Sequence, residues 1–105
     1  MGSFLLKVHT KEGEKEGLSK SYHENGRLEQ EGNYKNGLAE GVWKWYHENG
    51  QLAGEANNIN GLAEGVVKEY HVNGQLSFEG NYKNDLLESE AKCWNEDGTE
   101  IPCED

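Results

Sequence analysis

The sequence predicts an all-β fold, an elongated single-layer antiparallel β-meander of stacked hairpin repeats with a period of 24 residues. The first observation behind this is the repeat itself. Tyr22-His23-Glu24-Asn25-Gly26 returns as Tyr46-His47-Glu48-Asn49-Gly50, as Tyr70-His71-Val72-Asn73-Gly74, and in worn form as Trp94-Asn95-Glu96-Asp97-Gly98. A period of roughly 20–50 residues marks one supersecondary unit stacked along an axis. The second observation is that each period carries two turn signals. Glu24-Asn25-Gly26 and its copies form one series; Lys35-Asn36-Gly37, Ile59-Asn60-Gly61 and Lys83-Asn84-Asp85 form the other, with Glu12-Gly13 at the matching earlier position. Asn-Gly between alternating segments is a strong hairpin signal, because both residues tolerate positive φ. The third observation is period-two alternation between the turns. Val42, Lys44 and Tyr46 point one way and Trp43 and Trp45 the other, with no 3.6-residue apolar stripe.

These signals place strands at 4–10, 17–23, 27–34, 38–47, 51–58, 62–71, 75–82, 86–95 and 99–103. At 105 residues the chain reads as a single repeat domain. Residues 1–16 form an N-terminal cap strand, 17–40, 41–64 and 65–88 the repeats, and 89–105 a degenerate C-terminal cap. Three-residue loops at the Glu-Asn-Gly turns bring Tyr22 opposite Leu28, Tyr46 opposite Leu52 and Tyr70 opposite Leu76. Such cross-strand pairs stabilise one sheet face. A strict alternation then puts Leu18, Tyr22, Leu28, Tyr34, Leu38, Val42, Tyr46, Leu52, Leu62, Val66, Tyr70, Leu76, Phe78 and Tyr82 on one even-numbered face. Gly32, Gly54 and Gly80 lie among them and leave room for neighbouring rings. Nine strands at ~4.8 Å give a ribbon roughly 40 Å long. Lys7, Lys11, Glu100 and Glu104 would blunt its open edges.

Composition agrees with a thin array. Only 33% of residues are apolar, lean for a closed core, yet ten aromatics (Trp 3, Tyr 5, Phe 2) are too many for a disordered chain. Twenty acidic residues against ten basic ones leave a formal charge of -10. That field repels nucleic acid and anionic lipid and favours a cationic partner, although acid also serves solubility alone. No apolar run approaches the ~20 residues of a membrane span, so membrane insertion is not expected. Phe4-Leu5-Leu6 is too short for a signal-peptide core, and Met1-Gly2-Ser3 reads as an expression remnant. Localisation is left open, with the cytoplasm favoured over export. Cys93 and Cys103 are either one bridge across a terminal hairpin or two free thiols; their spacing matches no zinc pattern.

The units resemble MORN repeats, specifically the bacterial MORN-variant repeat. The resemblance rests on Tyr22-His23-Glu24-Asn25-Gly26-Arg27-Leu28, then Gly32-Asn33-Tyr34-Lys35-Asn36-Gly37, closing with Glu40-Gly41, and covers about residues 13–98. Departures are Asn58 and Ile59 where Tyr and Lys are expected, Asp85 for Gly, Ser89 for Gly, and the eroded last copy. The resemblance implies an elongated sheet without catalysis, antitoxin-like in some bacterial members and scaffolding or surface-bound in others. Choline-binding repeats of cell walls are similar in using Trp-x-Tyr hairpins, but have a shorter period and more paired aromatics.

Reactive chemistry is not favoured by the spacing. His23, His47 and His71 recur two strands apart, roughly 10 Å, whereas zinc needs its ligand nitrogens at ~2 Å. Glu40, Glu64 and Glu88, like Glu31, Glu55 and Glu79, stand too far apart for a retaining carboxylate pair at ~5 Å. No catalytic residue, metal or cofactor is expected. Trp43 and Trp45 break the repeat, with Ser19 and Ser21 before them and Val67 and Glu69 after. If the second turns also have three residues, Trp45 faces Arg27 and Trp43 faces Glu29, with Ala53 and Glu55 alongside. The alternatives are two exposed indoles anchoring an interface, or indoles packed on each other and on the Arg27 stem. The expected partner surface is Trp43, Trp45, Arg27, Glu29, Glu55, Val67 and Glu69. The expected function is a non-catalytic scaffold for a protein partner with a basic surface, such as a toxin or effector. Alternatives are a cell-surface carbohydrate or choline binder, and an architectural segment of a longer array. The oligomeric state is not set by the sequence.

Overall fold

A computed structural model describes residues 7–11, 14–88 and 90–103. It holds one antiparallel sheet of β1 (Lys7–Lys11), β2 (Glu14–Tyr22), β3 (Leu28–Lys35), β4 (Leu38–Tyr46), β5 (Leu52–Ile59), β6 (Leu62–Ala63), β7 (Gly65–Tyr70), β8 (Leu76–Lys83), β9 (Leu86–Leu87), β10 (Lys92–Trp94) and β11 (Glu100–Ile101). Neighbours run β1-β2-β3-β4-β5-β7-β8-β10-β11; β6 extends the β7 rung beside β5, and β9 the β10 rung beside β8. Among the described residues this is the expected meander, open at both ends, with extents of 46 × 33 × 18 Å. The starts expected at 4–6, the Glu12-Gly13 turn, Ser89 and Glu104 lie outside the described residues.

The first turn series is built as expected. His23 N–H donates to Arg27 O at 2.8 Å and Gly26 N–H to His23 O at 2.9 Å, with Gly26 at φ 90°. The same bonds recur at His47 and at His71. They seat the pairs Tyr22–Leu28, Tyr46–Leu52 and Tyr70–Leu76 directly across from each other.

The second series departs from the expected three-residue loop. Lys35 pairs with Leu38, Ile59 with Leu62 and Lys83 with Leu86, so each turn has two residues. Asn36 and Gly37 lie at φ 53° and 82°, and Asn60 and Gly61 at 53° and 84°. Paired positive φ values match the right-handed twist of the flanking strands. Asp85 takes the left-handed place of a glycine at φ 71°, and its Oδ1 accepts the Ala63 N–H at 2.6 Å.

A second correction concerns the faces. Tyr22 pairs with Leu28 but Ser21 pairs with Gln30, which leaves Glu29 as an unpaired bulge residue. Ala53 and Ser77 are skipped in the same way. One extra residue shifts everything beyond it to the opposite face. Tyr34, Phe78, Tyr82 and the three strand glycines therefore leave the Tyr–Leu face and join Trp43 and Trp45. A row across the sheet shows this directly: Gln30, Trp45, Gly54, Glu69, Phe78, Cys93 and Ile101 are consecutive cross-strand neighbours. The core sits on that face, where Trp43 is 8% exposed.

Candidate functional site

The residues that recur most faithfully are occupied in joining one repeat to the next. The Nε2 of His23 lies 2.8 Å from Tyr46 O, that of His47 2.8 Å from Tyr70 O, and that of His71 2.7 Å from Trp94 O. A carbonyl only accepts, so Nε2 carries the proton in each ring. Asn25, Asn49 and Asn73 each donate Nδ2–H at 2.9 Å to the carbonyl of Glu48, Val72 or Glu96. Their Oδ1 atoms accept the N–H of Arg27, Gln51 and Gln75, also at 2.9 Å. On the opposite rim, the carboxylates of Glu16, Glu40 and Glu64 accept the N–H of Asn36, Asn60 and Asn84 at 2.9, 3.0 and 3.1 Å. Period 24 is thus the period of a hydrogen-bond stitch between neighbouring turns.

His47→Ala should remove one stitch and leave Tyr70 O without it. The expected loss is about 1–2 kcal/mol in urea unfolding, partly restored by His47→Gln. An unchanged midpoint would mean that the ring bond carries no stability.

The expected partner surface is only partly brought together. Trp43 and Trp45 share a face, as do Val67, opposite Gly80, and Glu69, opposite Gly54. Glu55 lies on the other face, between Lys44 and Lys68. Arg27 does not pack under an indole; its Nη1 donates to Glu48 O at 3.3 Å across the turn rim. Glu29 sits in the bulge, where its Oε1 accepts the Ser21 hydroxyl at 3.4 Å.

The expectation of two exposed indoles fails for Trp43. Its ring lies over Gly32, where a Cβ would fall inside the indole, and Trp45 covers Gly54 in the same way. Tyr34 meets Trp43 edge-on at 5.1 Å, and the indole N–H donates to Asn33 O at 3.1 Å. Lys15 Nζ stands 4.9 Å over the Tyr34 ring. Trp43 is interior packing, and Trp45 is half-buried beside it.

The opposite face carries the feature that sequence reasoning missed. Lys20, Glu31, Lys44, Glu55, Lys68, Glu79 and Lys92 are successive cross-strand neighbours, an alternating ladder across the sheet. Beside it stand Leu18, Val42 and Val66, exposed at 46%, 53% and 48%. They line shallow depressions shared with Asn33, Asn57 and Asn81. The signal was legible as a recurring Leu/Val-x-Lys at 18–20, 42–44 and 66–68, followed by Asn-Gly turns and by Glu-x-Asn at 31–33, 55–57 and 79–81.

Tyr46 reaches onto this ladder, its hydroxyl donating to Glu31 Oε2 at 3.0 Å. Burial first, then that hydrogen bond and the charges of Glu31 and Glu55, push the phenol above its ordinary value of about 10. A raised folded pKa means the folded state holds the proton more tightly than the unfolded chain. Tyr46 therefore contributes its full stability below pH ~10 and loses it as pH rises through the folded value. Tyr46→Phe should flatten part of the alkaline fall in urea midpoint; an identical fall would contradict the assignment. At the last turn, hydrogen bonds with Thr99, side chain first and then backbone, hold the Asp97 carboxyl below the usual range.

The terminal hairpin resolves the cysteine alternatives: Cys93 and Cys103 are bridged, with Cα atoms 5.3 Å apart. No group of three or more His, Cys, Asp or Glu among the described residues is arranged to hold a metal ion. No helix among them is long and apolar enough to cross a membrane.

Comparison with known proteins agrees with the stitched repeat. Residues 15–36, 39–58 and 63–84 match the MORN repeat variant family. No curated protein and no solved structure matches the chain. With more than half of its residues covered in three in-phase segments, the chain belongs to the MORN repeat variant family, a non-enzymatic family of repeat modules for protein or membrane interaction.

Proposed function

We propose that the chain is a non-catalytic scaffold that binds a protein partner with a basic surface, in the manner of a bacterial antitoxin or immunity protein. The observation that carries this reading is what the repeat leaves over. Recurring His, Asn and Glu residues are used in stitching, whereas Leu18, Val42 and Val66 recur and stay about half exposed at 46%, 53% and 48%. Apolar side chains in register, framed by charge, mark a protein interface. The docking anchor expected at Trp43 and Trp45 moves to this column. The formal charge of -10 favours a basic partner for the chain as a whole.

The proposal keeps residues 1–105 as one domain capped by 1–16 and 89–105, with neither nucleic acid nor an inserted membrane segment as its target. The Cys93–Cys103 bridge weighs against the cytoplasm as its place of action, because cytosolic thiols are kept reduced.

A partner captured by the wild-type chain should bind the double variant Val42→Asp, Val66→Asp about tenfold or more weakly. Its affinity for the wild type should fall with added salt. Trp45→Ala and Glu69→Gln should leave binding little changed. A partner indifferent to the valine changes, or lost on Trp45→Ala alone, would contradict the placement. Affinity that ignores salt would contradict the basic partner.

A further inference from the structure

We propose that Asn36 and Asn60 are the deamidation sites of the folded protein, and that the stitch protects Asn25, Asn49 and Asn73 from the same reaction. All five residues precede glycine. In such a pair the glycine amide nitrogen, after losing its proton to solvent base, bonds to the asparagine Cγ. The Cγ–Nδ2 bond breaks and that nitrogen leaves as ammonia. Water then adds to either carbonyl carbon of the cyclic imide, breaking one ring C–N bond and giving aspartate or isoaspartate. No electrons are transferred, and water is the only co-reactant. Glycine presents no Cβ to hinder the attack.

The sequence makes the five sites near-equivalent, and the fold divides them. On one rim the amide is tied at both ends. The leaving nitrogens of Asn25, Asn49 and Asn73 donate to Glu48, Val72 and Glu96 carbonyls, while their Oδ1 atoms hold the N–H two residues on, all at 2.9 Å. The attacking nitrogens of Gly26, Gly50 and Gly74 are also engaged, each with a histidine carbonyl at 2.9 Å. Cyclisation there needs three hydrogen bonds to open. On the other rim, Asn36 and Asn60 are exposed, and among the described residues their hydrogen bonds to side chains run from the backbone N–H, not from the side-chain amide. Only the bonds from Gly37 N–H to Lys15 O and from Gly61 N–H to Ala39 O, each 2.9 Å, restrain the attack. The third copy on that rim, Asn84, is followed by Asp85, whose side chain and charge disfavour it.

The consequence is local. A new carboxylate at 36 or 60 stands beside Glu16 or Glu40, whose oxygens already accept the backbone N–H of those residues at 2.9 and 3.0 Å. Isoaspartate also adds a methylene to a two-residue turn that has both φ values positive. Deamidation therefore loosens the second turn series alone.

The test compares folded and urea-denatured protein in the same mildly alkaline buffer by peptide mass mapping. Each site's protection is its denatured rate divided by its folded rate, which cancels neighbour effects. Protection at Asn25, Asn49 and Asn73 should exceed that at Asn36 and Asn60 by about tenfold or more, from two additional hydrogen bonds. Equal protection, or the reverse order, overturns the proposal. The double variant Asn36→Gly, Asn60→Gly tolerates positive φ and should lose the acidic species that accumulate on ion exchange. Their persistence would also overturn it.

Discussion

Trp43→Ala is expected to cost about 3–5 kcal/mol in urea unfolding, the largest loss from any single side chain of this protein. The indole is 8% exposed and is the one buried hydrophobic among the described residues. It bridges β3 and β4, lying flat on Gly32, edge-on to Tyr34 at 5.1 Å, with its N–H on Asn33 O at 3.1 Å. On the open face of a single-layer sheet water fills the gap, so the cost is the lost burial of the indole, its ring contact with Tyr34 and its hydrogen bond to Asn33 O. Trp45→Ala should cost distinctly less, since that ring is half-buried. If the two changes were equal, or Trp43→Ala were nearly silent, the indoles would be surface groups after all.

Gly32→Ala should destabilise by about 3 kcal/mol, a large effect for one methyl group on a strand. The backbone is not the obstacle there, because Gly32 is absent from the glycines at positive φ. The obstacle is the Trp43 ring, which occupies the space a Cβ would fill. The ring must swing out to solvent, exposing itself and breaking its bond to Asn33 O. Gly54→Ala should act on Trp45 in the same direction with a smaller cost. A tolerated Gly32→Ala would mean that the ring stands off the sheet.

The sequence was legible where a pattern repeats and misleading where one residue changes parity. Two turns per period, the Tyr–Leu pairs and the rung order follow from Asn-Gly spacing and strand alternation. The bulges at Glu29, Ala53 and Ser77 do not, because nothing in those side chains announces an unpaired residue. Missing them put Gly32, Gly54 and Gly80 under the wrong rings, although room for a ring was the right reason for a glycine. The choice between exposed and packed tryptophans was open for a related reason. A residue that breaks the repeat can still be core: one indole pair over two glycines serves strands on both sides, and Ser19, 3% exposed, fills the neighbouring place. The Lys–Glu ladder stayed hidden because its members come from different strands and meet only once the register is set.

The claim that the Trp face is interior, leaving the Leu18–Val42–Val66 face for recognition, is tested most directly by a double-mutant cycle of Gly32→Ala and Trp43→Ala. Urea unfolding in sulfate buffer, which strengthens burial, keeps the variants folded enough to measure. If the indole lies on Gly32, the cost of Gly32→Ala should nearly vanish once Trp43 is alanine, a coupling of about 3 kcal/mol. Simple additivity of the two costs would contradict the stacked indole and the division of faces built on it.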